Sequence, residues 1–430
     1  MPRYKKKRHN RIFNTPKKSV KPKRKVDNFD DIKMTSHKSV KENSAKRRNM
    51  HVVAGKKLER NRKYKSIIGF VAAILIIFFV FEAFLLAGVV QTVSNIIATT
   101  GTGSFPITLS GTKTYNTVTM GNYFYHLSDT HFSAYSNAGK KLFSEPHGFE
   151  KPVLTVSKGR ALIYDQGANG LQIFDLKGLE YSNTTEREII SASISDSGSY
   201  AVATYSDEYA SAVSVYSKKN KLIYEWYSAE DIINAIAFSS NGKRIAVASY
   251  KSLSGVFSSK LNVINCESKT ATPEHTKTYE NSLIYSLKNS NNRFCVIKSN
   301  GIDYIKWSNF DISEYKNDYS ISKFRSNSSY NVAVFCRESD NTDNAIVIFS
   351  KKGKVKYTVK YKGIINDIQV KGSNIYCIND SEISVLDFEG NLSRSKSYGY
   401  GGISVAVTST NTVAVISDSE IERVKLDKKD

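Results

Sequence analysis

After residue 112 the chain repeats itself. Two short apolar strands flank a polar turn in Ala192–Tyr205 (ASISDSGSYAVATY), Ala235–Tyr250 (AIAFSSNGKRIAVASY), Tyr285–Lys298 and Lys323–Cys336, with looser copies at Asp367–Asp380 and Val405–Asp418. A second element, an apolar pair followed by a polar turn and another strand, recurs at Ala134–Phe143, Ile173–Ser182, Val215–Tyr224, Ile348–Tyr357 and Val385–Arg394. Together they make a four-strand unit that returns about every 40 residues, the period of a propeller blade. Short strands at close spacing with Gly, Asn, Asp and Ser turns specify an all-β domain.

The expected fold is a β-propeller of about eight four-stranded blades. Middle strands begin near Tyr123, Arg160, Tyr200, Arg244, Arg293, Asn331, Asn374 and Thr412. Seven blades is the alternative if the weak unit at 112–143 is irregular. The last unit has no room for a fourth strand, and Phe105–Leu109 is available to supply it. Such a closure would join the two ends of the ring and remove exposed sheet edges.

Ahead of the repeats lies an apolar run, Ile67–Val90, with Glu82 as its one charge. About 20 apolar residues suffice to cross a bilayer as a helix. The expected organisation is a disordered basic tail (1–65), one transmembrane helix (66–90), a short Thr-, Gly- and Ser-rich linker (91–104) and the propeller (105–430). Twenty-four Lys or Arg and five Asp or Glu precede Ser66, so nearly all of the net charge of +22 belongs to the tail. Lys56, Lys57, Arg60, Arg62, Lys63 and Lys65 stand at the membrane edge, suited to anionic headgroups. Basic residues flanking a first span stay in the cytoplasm. The expected localisation is therefore the cell membrane, single-pass, with a cytoplasmic N-terminus and an extracytoplasmic C-terminal domain. A cleaved signal peptide is disfavoured, because the run is long and begins after more than sixty residues. Glu82 is either a neutral or water-reaching carboxyl in the outer half of the span or a polar contact to a partner helix.

The tail is too poor in large apolar side chains to offset chain entropy. Its segment Lys21–Val26 matches a nuclear-localisation pattern, against which the span downstream argues. Nucleic acid is not an expected partner, since Tyr4, Phe13 and Phe29 are scattered and form no stacking array.

FSSNGKRIAV (Phe238–Val247) and ISDSGSYAVA (Ile194–Ala203) resemble the repeats of WD-like, TolB-like and YVTN-type propellers. The whole layout resembles a family of uncharacterised bacterial single-pass membrane proteins with a propeller ectodomain. That resemblance implies a fold over roughly 105–430 but no catalytic residues. The Gly-His and Trp-Asp signatures of WD repeats are missing, and Trp226 and Trp307 are isolated.

The sequence has no HExxH, G-x-S-x-G, phosphate-binding or dinucleotide motif. His126, His131, His147 and His275 show no metal-ligand spacing, although His126 and His131 fall on neighbouring strands. SDEY (Ser206–Tyr209) and ESDNTD (Glu338–Asp343) read as solvated turns, and Ser397–Ser404 as a loop between blades. Cys266, Cys295, Cys336 and Cys377 fall in strands of successive blades, too far apart for bridges that need Cα atoms within about 7 Å. They read as small buried hydrophobes. No cofactor or metal is expected. The favoured function is a binding or scaffold module at the cell envelope, contacting the lipid bilayer and a protein or cell-wall glycan through exposed tyrosines such as Tyr398 and Tyr400. The alternative is a glycan-active hydrolase or lyase in the channel, for which Asp165, Asp175 and Asp387 are the candidate carboxylates.

Overall fold

The computed structural model describes residues 64–82, 89–253, 255–337 and 340–428. The chain divides into two units, at Phe81 and Glu82. In the first, helix α1 (Tyr64–Glu82) is long and apolar enough to cross a membrane, and its apolar side chains are exposed. Its 19 residues span about 28 Å at about 1.5 Å per residue, close to a bilayer core.

The second unit is an eight-bladed propeller. Blades 1 to 8 cover 114–146, 152–184, 189–228, 232–280, 284–316, 320–362, 367–397 and 404–425. Each is an antiparallel sheet whose strands A to D run outward, in chain order in blades 1 to 7, with the A strands ranged around the axis. The B strands explain why blades form. Tyr123–Ser128 and Arg293–Lys298 are buried along their whole length. Alternation there separates two cores rather than inside from outside. Ile245 and Val247 pack with Val213 and Val215 of blade 3, whereas Ala246 and Ala248 pack with Phe294 and Val296 of blade 5. The same division gives a core between every neighbouring pair of blades, including blade 8 and blade 1. Each large apolar side chain so buried contributes about 1.5–3 kcal/mol.

Ring closure follows the sequence expectation. Ile107 and Thr108 pair with Ile421 and Glu420 as the fourth strand of blade 8. Leu109 extends the ladder, its N–H donating to the Ser419 carbonyl at 2.9 Å, and is itself buried. Thr114 adds a tie to blade 8, its N–H donating to Asp418 Oδ1 at 2.7 Å. The C-terminus does something the repeat pattern did not announce: Asp427 and Lys428 pair with Ser395 and Arg394 as a fifth strand on blade 7.

The stretch expected to be a linker is instead partly helical. Helix α2 runs from Val89 to Thr99, while 83–88 lie outside the described residues. The reason is docking. Ala98 packs against the core of blades 1 and 2, Asn122 donates its amide to Thr99 Oγ1, and Lys140 Nζ donates to the carbonyls of Ala98 (3.2 Å) and Thr100 (2.9 Å). A cation at a helix C-terminus complements the free carbonyls and the helix dipole. The chain then passes so close to the next turn that a Cβ on Gly103 would stand 2.0 Å from the Gly139 carbonyl carbon.

Because strands alternate in direction, all A–B and C–D turns emerge on one face and all B–C and D–A connections on the other. Helix α2 docks on the A–B and C–D side, through Asn122 and Lys140. We call this the proximal face and its opposite the distal face. A proximal turn such as Phe238–Arg244 reverses through Gly242, whose φ of 72° lies where glycine is favoured.

Candidate binding face

At the axis, blades 6, 7 and 8 are tied by one buried carboxylate. Asp367, on the A strand of blade 7, takes Arg325 Nη2 of blade 6 at 2.6 Å on Oδ1 and Ser404 Oγ of blade 8 at 2.6 Å on Oδ2. The N–H groups of Ile368 and Val405 donate to the same carboxylate. Lys288, on the A strand of blade 5, has an accessible side chain that is surrounded by protein. That dehydration, with the Arg325 charge, holds its ammonium pKa below the ordinary value. Sequence reasoning missed all of these residues, because nothing local distinguishes an A-strand position that faces the channel.

Beside this tie, a cleft of about 490 Å³ opens at blades 6 to 8, lined by Ser322, Lys323, Asn344, Ile364, Asn366 and Ile403 among others. Its amides are anchored. Asn366 Nδ2 donates to Asp380 Oδ1 (2.7 Å) and the Gly402 carbonyl (2.8 Å), and Asn344 Nδ2 to the Gly363 carbonyl (2.8 Å). A few fixed polar groups among apolar ones are the usual make-up of a ligand site. Four of its linings, Ile364, Ile365, Asn366 and Ile403, come from D–A connections, so it belongs to the distal half.

The distal face also carries the exposed aromatics. Tyr209 and Tyr227 of blade 3 sit with ring centroids 4.9 Å apart, and Tyr205, Tyr285 and Tyr319 are exposed on the same side. Tyr400, in the loop between blades 7 and 8, is 92% exposed. Tyr398 differs from expectation: it is half-buried, packs on the core of blades 7 and 8 and donates to the Asn379 carbonyl.

The three candidate carboxylates do not meet. Asp165 is a buried distal cap that accepts the N–H groups of Glu150 (3.1 Å) and Lys151 (2.7 Å). Asp175 lies at the far end of the neighbouring strand and caps Lys177 N–H. Asp387 sits in a proximal turn of blade 7, where Asn391 and the Glu389 N–H hold its carboxyl below the usual range. Each serves its own turn.

His126 is fully buried, its pKa lowered to about 4 by loss of hydration. His131 is half-buried at the strand start and bonds Thr130. His147 accepts the Phe149 N–H on Nδ1 and so donates from Nε2 to the Ser128 carbonyl. Among the described residues no group of three or more His, Cys, Asp or Glu is placed to hold a metal. The cysteines are unbridged. Cys266, Cys295 and Cys377 are buried, Cys336 half-buried, and Cys266 lies in the turn after its strand rather than within it. Burial pushes the Cys266 and Cys295 thiols up to about 12. Lys65 and Glu82 are exposed near the two ends of α1, while Lys56, Lys57, Arg60, Arg62 and Lys63 lie outside the described residues.

The chain belongs to the family of unknown function DUF5711, whose model matches residues 101–426. No curated protein matches it. Among solved structures it is similar to Saccharomyces cerevisiae Sqt1, with 10% identity and a TM-score of 0.53, covering 74% of this chain and 98% of that one. It is also similar to the β-propeller domain of Myceliophteria thermophila Cps50 (Swd1), with 10% identity, a TM-score of 0.43 and coverage of 74% and 98%. At such identity the likeness to Sqt1 speaks for the propeller fold alone.

Proposed function

We propose that this member of the DUF5711 family is a membrane-anchored propeller that binds a partner outside the cytoplasm through its distal face. The observation that carries this reading is the gathering of exposed tyrosines and the Asn-lined cleft on the face opposite to the one where the chain enters. Tyrosine offers large contact area with little rotamer entropy to lose, and it is enriched in interface cores. The anchor in this reading is α1, oriented by the excess of Lys and Arg before it. The partner class is a protein or cell-wall glycan. Anchored amides beside Ile364 and Ile403 suit the hydroxyls and apolar ring faces of a sugar.

The test uses the full chain reconstituted in lipid nanodiscs. Binding to purified wall glycan and to purified envelope proteins is measured for the native chain and for the Tyr209→Ala, Tyr227→Ala, Tyr400→Ala triple variant. The reading expects at least about tenfold weaker binding with an unchanged melting midpoint, as for loss of interface hot spots. Unaltered binding in the triple variant would remove the distal face from the account. Protease added outside spheroplasts should cut the propeller and spare a tag at Met1; the reverse pattern would overturn the topology.

A further inference from the structure

The two faces of the propeller differ in charge. Among described turn residues the proximal face carries eleven Lys and six Asp or Glu, whereas the distal face carries eleven Asp or Glu and three Lys or Arg. Pairing leaves the difference in place, since distal Asp207, Glu230 and Asp231 are also engaged by Lys or Arg. Proximal carboxylates Asp196, Glu267, Glu274 and Asp311 are each engaged by a neighbouring Lys or Arg. No ion pair among the described residues uses Lys218, Lys219, Lys221, Lys352 or Lys354.

These free lysines sit beside exposed apolar side chains. In blade 3 the turn Ser217–Lys221 leads into Leu222 and Ile223, and in blade 6 the turn Lys351–Lys354 leads into Val355 and Tyr357, all four exposed. At blade 1 the docked helix α2 turns Val93, Ile96 and Ile97 outward, with Ile97 66% exposed. Distal exposed side chains are mostly tyrosines set among carboxylates, so exposure by itself does not account for the contrast.

From these observations we infer that the proximal face rests on an anionic phospholipid surface, touching it at three places: α2 of blade 1 and the C–D hairpins of blades 3 and 6. Apolar side chains flanked by cations are the composition of interfacial membrane contacts, where the apolar part enters the headgroup boundary and the lysines meet phosphate. The occupant follows from charge complementarity and from the chain itself, since six residues separate α1 from α2. Three contacts spread around a disc fix its plane. Tyrosine-bearing distal loops then face away from the lipid, and the distal carboxylates are kept from it. This inference rests on the anchoring reading above.

The full chain carrying Cys336→Ser is labelled with an environment-sensitive fluorophore at Ile97→Cys, Lys219→Cys or Lys352→Cys, and at Glu208→Cys on the distal face as reference. Each form is placed in nanodiscs of phosphatidylcholine, with and without phosphatidylglycerol, containing nitroxide-headgroup lipid as quencher. The expected result is severalfold stronger quenching at the three proximal sites than at 208. It should increase with phosphatidylglycerol and fall to the reference level in high salt or, in each labelled form, when those of Lys218, Lys219, Lys221, Lys352 and Lys354 that do not carry the label are changed to Gln with an unchanged melting midpoint. Equal quenching at 208 and 219, or proximal quenching indifferent to phosphatidylglycerol and salt, would overturn the inference while leaving the anchor intact. A chain that fails to float with lipid after carbonate extraction would overturn the anchor and the inference together.

Discussion

Ile107 lies directly opposite Ile421 in the ladder that completes blade 8. One residue comes from the start of the domain and the other from its last blade. The ring is therefore locked by a strand that neither end supplies alone, and an edge otherwise left open is paired. Deleting 404–430 from the full chain should abolish cooperative thermal unfolding of the propeller rather than trim one blade from it. Ile107→Pro together with Thr108→Pro, which removes N–H donors from a paired strand, should cost roughly 2–3 kcal/mol in chemical denaturation. An unchanged midpoint in the proline variant would show that blade 8 is stable with three strands.

Asp367 makes a different prediction, because its charge is buried. Asp367→Ala would leave Arg325 without its carboxylate and Ser404 without its acceptor. The expected loss is roughly 3 kcal/mol, as when one partner of a buried pair is removed. Arg325→Met in the same chain should restore part of that loss. A double-mutant cycle in urea measures the coupling, and additive effects would mean that the contact contributes nothing of its own.

Blade number, strand order and ring closure were legible in the sequence because propeller blades are periodic. Each repeat had to bury its B strand on both faces, and runs such as RFCVIK or AVATY say so directly. The helix at α2 was not legible. VVQTVSNIIAT is poor in strong helix formers, and its helicity depends on Asn122 and Lys140 of blade 1, which no local pattern discloses. The channel residues were hidden for a related reason. Asp367 and Arg325 belong to strands of different blades, and only the packing of neighbouring blades brings them together. Asp165, Asp175 and Asp387 were visible as carboxylates in or beside turns, each two or three residues before a glycine, but that setting marks turn caps.

Stability of the propeller should depend on His126. In the unfolded chain this imidazole takes a proton near its ordinary pKa of 6.5, whereas in the fold burial delays protonation until about pH 4. Between those values the unfolded state binds more protons, so stability rises with pH from about 4 to about 6.5 and is lost as pH falls through that window. The single-site effect is at most roughly 3 kcal/mol. Carboxylates and His147, also lowered, titrate nearby, so the measurement is the difference between native and His126→Gln chains across the window. The two stability curves should converge at low pH; curves that stay parallel would show that His126 is charged or solvated in the fold.

Docking of α2 supplies the last prediction. Its C-terminal carbonyls are held by Lys140, and the following backbone passes Gly139 with no room for a side chain at Gly103. Lys140→Ala removes a charge-assisted contact worth about 1 kcal/mol, whereas Gly103→Val forces the two backbones apart. The amides of 93–99 should therefore exchange with solvent faster in Lys140→Ala and much faster in Gly103→Val, with the B strands of blades 3 to 7 unaffected in both. Hydrogen exchange read by mass spectrometry on the reconstituted full chain resolves the two regions. If Gly103→Val left exchange across α2 unchanged, the helix would be held by something other than blade 1, and the proximal face would lose one of its three lipid contacts.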